Sequence, residues 1–366
     1  MIYILFLPFF SFLVFVFHDF LPKNLILVAV CLFFALFAAF RGVDVAADLV
    51  VYQDWYAHRD EESGYLERPG YFEALYFLLN DVFSRIGINF RVFVGLLAFL
   101  AVFIKVNVLM GFAKSAWAAA VSVLIYSLTF YLLHEFTQIR AGLAVAFIFL
   151  ALLALVHQKR LLFVLFVLTA AGFHSSALTA FTLLLPCCSA RTRWIDWGLC
   201  SILGVLYLLF GGGISPGVVL LDWLSSFDPR VALYISMAES GQSLAANPLS
   251  ASALLLLVLS LSLMRAEANP ELFSTMDKHE MKALVLTRRS CLIGLIFLAS
   301  FSPIPELALR LFEINIALLP VLAVIVFSQQ GLLLQKLLLL LWTAVVAAIY
   351  IGREEGLVQP YVLFFS

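Results

Sequence analysis

Long runs of apolar side chains recur from one end of this chain to the other, and they decide its fold class before any motif is considered. They lie at roughly 1–17, 25–40, 92–112, 115–133, 141–157, 161–186, 196–211, 248–264, 284–302, 306–328 and 337–351. A helix of about 20 apolar residues matches the thickness of a bilayer's hydrocarbon core. Such a helix satisfies its own backbone hydrogen bonds in lipid, which an open sheet edge does not. With 64% of its 366 residues hydrophobic and 12% charged, the chain reads as an all-α polytopic integral membrane protein of about eleven hydrophobic segments. No repeat or low-complexity linker divides it, so 1–366 reads as a single transmembrane domain. A net charge of −1 offers nothing to nucleic acid. The five cysteines, Cys31, Cys187, Cys188, Cys200 and Cys291, lie in or beside apolar runs without metal-ligand spacing and read as small buried hydrophobes. Residues 1–17 lack a basic leader and a small-residue cleavage site, and so read as a first span.

Basic residues orient the spans. Lys23, Lys114, Lys159-Arg160, Arg191, Arg193, Lys336 and the basic loop 265–290 all fall on one side, which the positive-inside rule makes cytoplasmic. Strict alternation then makes two demands. Residues 41–91 lie wholly outside, so 71–86 is an interfacial helix, with Glu73, Asn80, Asp81, Ser84 and Arg85 gathered on its polar side. The segment 161–186 leaves the cytoplasm and returns to it. A break at Gly172-Phe173-His174-Ser175-Ser176 makes it a re-entrant hairpin with His174 at the tip; the competing reading is one tilted helix carrying a lone polar residue. A second sizeable outer loop spans 212–247.

The polar chemistry collects on the outer side, above all between Phe40 and Tyr71. A segment this rich in charge must face water or a watery cavity. Arg140 opens an apolar run, Arg310 lies just inside another, and Arg41 follows directly on a third. Each taken singly reads as an interface anchor. Three guanidiniums on one face point instead to an anion such as phosphate or pyrophosphate, which arginine binds bidentately. His174 is the one histidine inside a long apolar run, with the chemistry of a general base or a phosphate donor. Asp44 and Asp48 stand one helical turn apart, but no metal-ligand pattern accompanies them, and no metal or cofactor is expected. Tyr52, Trp55, Tyr56, Tyr65 and Tyr71 read as an interfacial aromatic belt or as sugar-stacking platforms.

Taken in order, these residues resemble the EpsG/Wzy-type bacterial polysaccharide polymerases. Phe40-Arg41, Asp48 and Tyr52 are similar to the family's opening signature, with Ala46 where that signature usually has glycine. Glu67-Arg68-Pro69-Gly70-Tyr71 is similar to its Glu-x-Pro-Gly-Tyr element. Ile139-Arg140 and Ala144 resemble its Ile-Arg-Gln-x-x-Ala helix start, with Ala141 in place of the glutamine and Gln138 before the arginine. Phe173-His174-Ser175-Ser176-Ala177-Leu178, Arg310-Leu311-Phe312 and Pro360-Tyr361 complete the ordered set.

The resemblance implies a metal-independent glycosyltransferase of GT-C-like architecture in the bacterial inner membrane, its site facing the periplasm. Its substrate would be an oligosaccharide on undecaprenyl pyrophosphate, transferred to the terminal sugar hydroxyl of a second lipid-linked repeat. A flippase and a chain-length regulator would be its protein partners. Arg140 and Arg310 are then expected to hold the pyrophosphate and His174 to activate the acceptor. Arg41, Asp48, Tyr52, Glu67 and Tyr71 are expected to bind substrate. Competing readings are an O-antigen ligase-type transfer to a lipid core, a lipid-linked glycan transporter, which should show internal symmetry and midplane charges, and a structural scaffold.

Overall fold

In the computed structural model, polar caps and polar breaks divide the apolar runs into helices. The structure describes residues 22–42, 45, 47–57, 73–185, 193–211 and 245–351, with a few isolated positions at 16–20 and 225–240. In chain order the helices are α1 (Lys23–Ala39), α2 (Ala47–Ala57), α3 (Ala74–Arg85), α4 (Phe90–Phe112), α5 (Ala116–Tyr126), α6 (Ile139–Val156), α7 (Arg160–Phe173), α8 (Arg193–Gly211), α9 (Ala251–Ala266), α10 (Lys278–Ser300), α11 (Pro305–Ile316), α12 (Leu319–Ser328) and α13 (Leu333–Ile351). Asn89, Ser115, Ser250 and Asp277 stand in extended backbone before α4, α5, α9 and α10, and each accepts a first-turn N–H with its side chain. Asp277 and Glu280 form a reciprocal capping box.

Among the described residues, six helical segments are long and apolar enough to cross a membrane: Phe90–Phe112, Ile139–Val156, Trp194–Gly211, Lys278–Ser300, Pro305–Ser328 and Leu333–Ile351; shorter apolar helices accompany them. The chain is an all-helical, multi-pass membrane protein, with no strand among the described residues. The expected first run at 1–17 and nearly all of the loop 212–247 lie outside the described residues. α6 sits centrally, packed by α4, α7 and α10, while α10 is wrapped by α8, α9, α11 and α12. Cys31 and Cys291 are buried free thiols, as small hydrophobes in a core are.

Three apolar runs are broken, and two of these breaks build the site. After α5, Ser127 and Thr129 turn their hydroxyls back onto the carbonyls of Leu124 and Ile125. The backbone there widens into a π-helical turn at Ser127–Tyr131. The chain then leaves helical geometry before α6 begins at Ile139. The second break is at His174, whose backbone is extended between α7 and a 3-10 arm, Ser175–Leu184. Phe163 near the start of α7 meets Phe181 of that arm edge to face, ring centroids 6.0 Å apart. The arm therefore doubles back along α7. This is a hairpin with His174 at its tip; the single tilted helix is excluded. The third break, at Ala317–Leu318, divides the expected run 306–328 into α11 and α12. Pro320 supplies the reason, because its ring would clash with the carbonyl of residue 316 in a continuous helix.

The segment expected as an interfacial helix is α3, at 12 residues too short to span a bilayer. Its burial departs from the expected faces in part, although Asp81 and Arg85 pair on its exposed side. Glu73, at its start, and Asn80 are buried, whereas Leu78, Val82 and Ile86 are 55%, 43% and 65% exposed. Glu73 finds its partners within the protein, where a carboxylate is better satisfied than beside lipid.

A second correction concerns Arg288 and Arg289, expected in the basic loop 265–290. α10 already begins at Lys278, and both arginines lie buried within it. Arg289 forks onto Asp196 of α8 (Nε–Oδ1 2.5 Å, Nη2–Oδ2 3.2 Å). Arg288 binds Glu267, just beyond α9 (Nε–Oε1 3.0 Å), and Asp196 (Nη2–Oδ2 3.1 Å). These pairs tie α8, α9 and α10 together on the side carrying most of the basic loops. At the same end Lys114 grips Glu280 at 2.6 Å and the Thr275 carbonyl at 2.8 Å.

Removing one member of a buried ion pair leaves its partner's charge bare and costs about 3–5 kcal/mol. Asp196→Ala, which removes the carboxylate that Arg288 and Arg289 share, is therefore expected to lose about that much stability and to melt at a lower temperature. Lys114→Ala, at a half-exposed pair, should shift the melting curve far less. A thermal unfolding series in detergent measures both.

Candidate active site

Glu73 precedes the first turn of α3, where a carboxylate would ordinarily cap the helix. Its side chain caps nothing. It turns into the protein instead, fully buried, and its two oxygens take different partners. Oε2 accepts from Arg140 Nη1, and Oε1 lies 2.8 Å from His174 Nδ1. A carboxylate accepts only, so Nδ1 carries the imidazole proton and Nε2 keeps its lone pair. Nε2 makes no hydrogen bond among the described residues.

Arg140 enters from the first turn of α6 through a set of aromatic rings. Its guanidinium carbon stands 5.2 Å from the Tyr52 ring centroid, 5.1 Å from that of Trp55 and 5.8 Å from that of Tyr76. Its Nε donates to the Tyr52 hydroxyl at 3.3 Å. Nη2 has no hydrogen-bond partner among the described residues, and the side chain keeps 14% of its surface exposed. Burial raises the Tyr52 phenol's pKa, against the opposing pull of Arg140. Tyr52 therefore stays a neutral hydroxyl that accepts from Arg140 and retains a proton to donate.

Arg310, on α11, stands close enough to the His174 ring and to Glu313 for its charge to act on both. Arg140 acts on the same ring. The charges of the two arginines expected to share an anion thus both reach one imidazole, although they lie 170 positions apart in sequence. Asp48, in the first turn of α2, is exposed and acts electrostatically on Glu313, and the Gln138 side chain reaches Glu313 from the α5–α6 break.

Of the sequence-predicted residues, the structure brings Tyr52, Arg140, His174 and Arg310 together, with Asp48 at the margin. Arg41 is different. Its guanidinium is buried, with Nη1 donating to the Ala38 carbonyl at 2.6 Å and the group 4.6 Å over the Phe136 ring. That placement is of a helix-end anchor. Glu67 and Tyr71 lie outside the described residues. Tyr52 and Trp55 form a cage for Arg140 and not an interfacial belt; Tyr56 donates to the Ile88 carbonyl at 2.6 Å. No cluster of three His, Cys, Asp or Glu able to hold a metal occurs among the described residues.

Sequence reasoning missed Glu73 and Glu313. Glu73 was placed on a solvated helix face because the acidic and basic residues of 73–85 cluster there. A carboxylate just before an apolar helix, without a cap to make, was the available signal. Glu313 lies one turn after Arg310 and reads as its local ion-pair partner until the fold brings Gln138 and Asp48 near it.

The family model described as EpsG family matches residues 24–363, nearly the whole chain and every residue of this site. Searches among curated proteins and among solved structures returned no match.

Glu73 is held in place by a close approach of α3 to α7. A Cβ on Gly172 would fall 2.6 Å from Leu75 Cδ1 and 2.7 Å from its Cγ. Gly172→Ala is therefore expected to destabilise the protein by about 1–3 kcal/mol through overpacking. Adding Leu75→Ala to it should recover part of that loss, a coupling that thermal unfolding of the single and double variants will reveal.

Proposed function

Because the chain belongs to the EpsG family, we propose that its site performs glycosyl transfer, joining lipid-linked oligosaccharide repeats into a polysaccharide. Membership supports a polymerase-type role; the substrate, its undecaprenyl pyrophosphate carrier, the periplasmic exposure of the site and a GT-C-like architecture are parts of the proposal. The observation that carries it is the grip of one buried carboxylate on both an arginine and a histidine, with a second arginine beside the same ring.

In this reading the acceptor sugar's terminal hydroxyl gives its proton to His174 Nε2 as its oxygen bonds to the anomeric carbon. The bond from that carbon to the pyrophosphate breaks, and its electron pair stays on the phosphate oxygen. Negative charge grows on the leaving group, where fixed cationic donors in a partly dry site are most effective. Arg140 Nη2 and Arg310 supply them. Glu73 holds the imidazole in the basic tautomer and stabilises it once protonated. Tyr52, Asp48, Glu67 and Tyr71 bind the sugars. Arg41 takes no direct part.

His174→Ala should lower turnover roughly 100- to 10,000-fold, the usual contribution of a general base. Arg310→Ala should cost roughly 100- to 1000-fold, as loss of an oxyanion donor does. Arg140→Lys is expected to fail nearly as badly as Arg140→Ala, because one ammonium does not span Tyr52, Glu73 and phosphate together. These variants, at normal membrane levels in a deletion strain, are read by gel analysis of surface glycan. The expected result is collapse of the ladder to one repeat. Long polymer from Arg140→Ala and Arg310→Ala proteins would overturn the assignment. A full ladder without attachment to the lipid core would mark a ligase instead.

A further inference from the structure

Beneath the site lies a charged pair that the mechanism above does not use. Lys105 sits about two-thirds of the way along α4, and Glu135 lies in the break between α5 and α6. Their side chains are 0% and 1% exposed, and Lys105 Nζ donates to Glu135 Oε1. The ammonium also stands 5.7 Å from the Tyr126 ring centroid. His134, fully buried and stacked on Phe130, lies within electrostatic reach of both Lys105 and His174.

Ionisable groups inside a membrane segment are costly and rarely kept without a use. Strength of attachment is not that use, since an apolar pair of similar volume holds two helices at least as well. What an ion pair adds is a single permitted register, because any slip leaves a bare ammonium and a bare carboxylate in the core. The segment concerned has an unusual need for such a constraint. It follows a π-helical turn, which already shifts the helical register. It is also folded tightly against α6: a Cβ on Gly142 would come within 3.3 Å of both Glu135 Oε1 and the His134 carbonyl carbon.

Three site groups depend on where this break ends: His134 beside His174, Gln138 toward Glu313, and Arg140 on Glu73. A slip of one residue would swing Arg140 by about 100° around α6 and move it about 1.5 Å along the axis. We infer that Lys105 and Glu135 are positioning residues, a register lock that aims Arg140 at Glu73 and so fixes where the pyrophosphate is received. This inference rests on the polymerase reading for its catalytic consequence, but not for its geometry.

The test uses the full-length protein in lipid nanodiscs with a lipid-linked repeat unit as substrate. Four forms are compared with wild type: Lys105→Met, Glu135→Leu, the charge-free double K105M/E135L, and the reversed pair K105E/E135K. The double variant should melt at the wild-type temperature or above, yet turn over about 100-fold more slowly through kcat, the cost of a misplacement near 1 Å. The reversed pair should recover most of that loss. A charge-free double variant as active as wild type would overturn the proposal. So would one that fails to fold, because the pair would then be a contact for stability alone. Absence of turnover by wild type would instead sink the polymerase reading. The lock is then read from Gln138→Cys in a background without the five native cysteines. Its labelling rate by a water-soluble maleimide should change with K105M/E135L and return with K105E/E135K; equal rates in all forms would overturn it.

Discussion

The arrangement of this protein's candidate site depends on the carboxylate of Glu73, buried and held between a guanidinium and an imidazole. A lone carboxylate in such a place would cost several kcal/mol. Two donors arriving from different helices remove most of that cost, and in doing so they join three chain segments. α3 cannot move away from α6 without exposing Arg140, nor from α7 without releasing His174. The close approach of α3 to Gly172 and the aromatic cage around Arg140 pack around the same pair.

Charge within the membrane-spanning part is handled by the same rule at two further levels. Lys105 and Glu135 neutralise each other beneath the site, and Arg288, Arg289, Asp196 and Glu267 do so toward the opposite end. Each group joins helices distant in sequence. On α3, Glu73 and Asn80 are covered and Leu78, Val82 and Ile86 uncovered, while the Asp81–Arg85 pair stays exposed. Polar side chains thus act as the specific adhesive between helices, and apolar ones as the solvent-compatible exterior.

Much of the site was legible in the residues themselves. An arginine opening an apolar run, another just inside a second run, and a histidine within a third are anomalies that lipid tolerates poorly. Arg140, Arg310 and His174 stood out for that reason. The hairpin at His174 was one of two readings that the residues left open, the other being a single tilted helix, and the extended backbone at His174 decided between them. Arg41 satisfied the same criterion, and the structure holds it at the end of α1 against the Ala38 carbonyl and the face of Phe136. Glu73 was missed for a complementary reason. Among many charged neighbours in 73–85, nothing local distinguishes the acid that faces inward.

Composition and the periodic recurrence of apolar runs determined that this chain is helical, spans a membrane many times and gathers its polar chemistry at helix breaks. Those outcomes follow from the bilayer's thickness and from the cost of unpaired backbone, which act on every segment alike. Only the tertiary structure decided which break meets which. Pairings such as Glu73 with Arg140 and His174, or Lys105 with Glu135, join positions 30 to 101 residues apart. Such a match depends on helix rotation and depth, quantities that are set by packing between helices and leave no periodic trace in the sequence of either one.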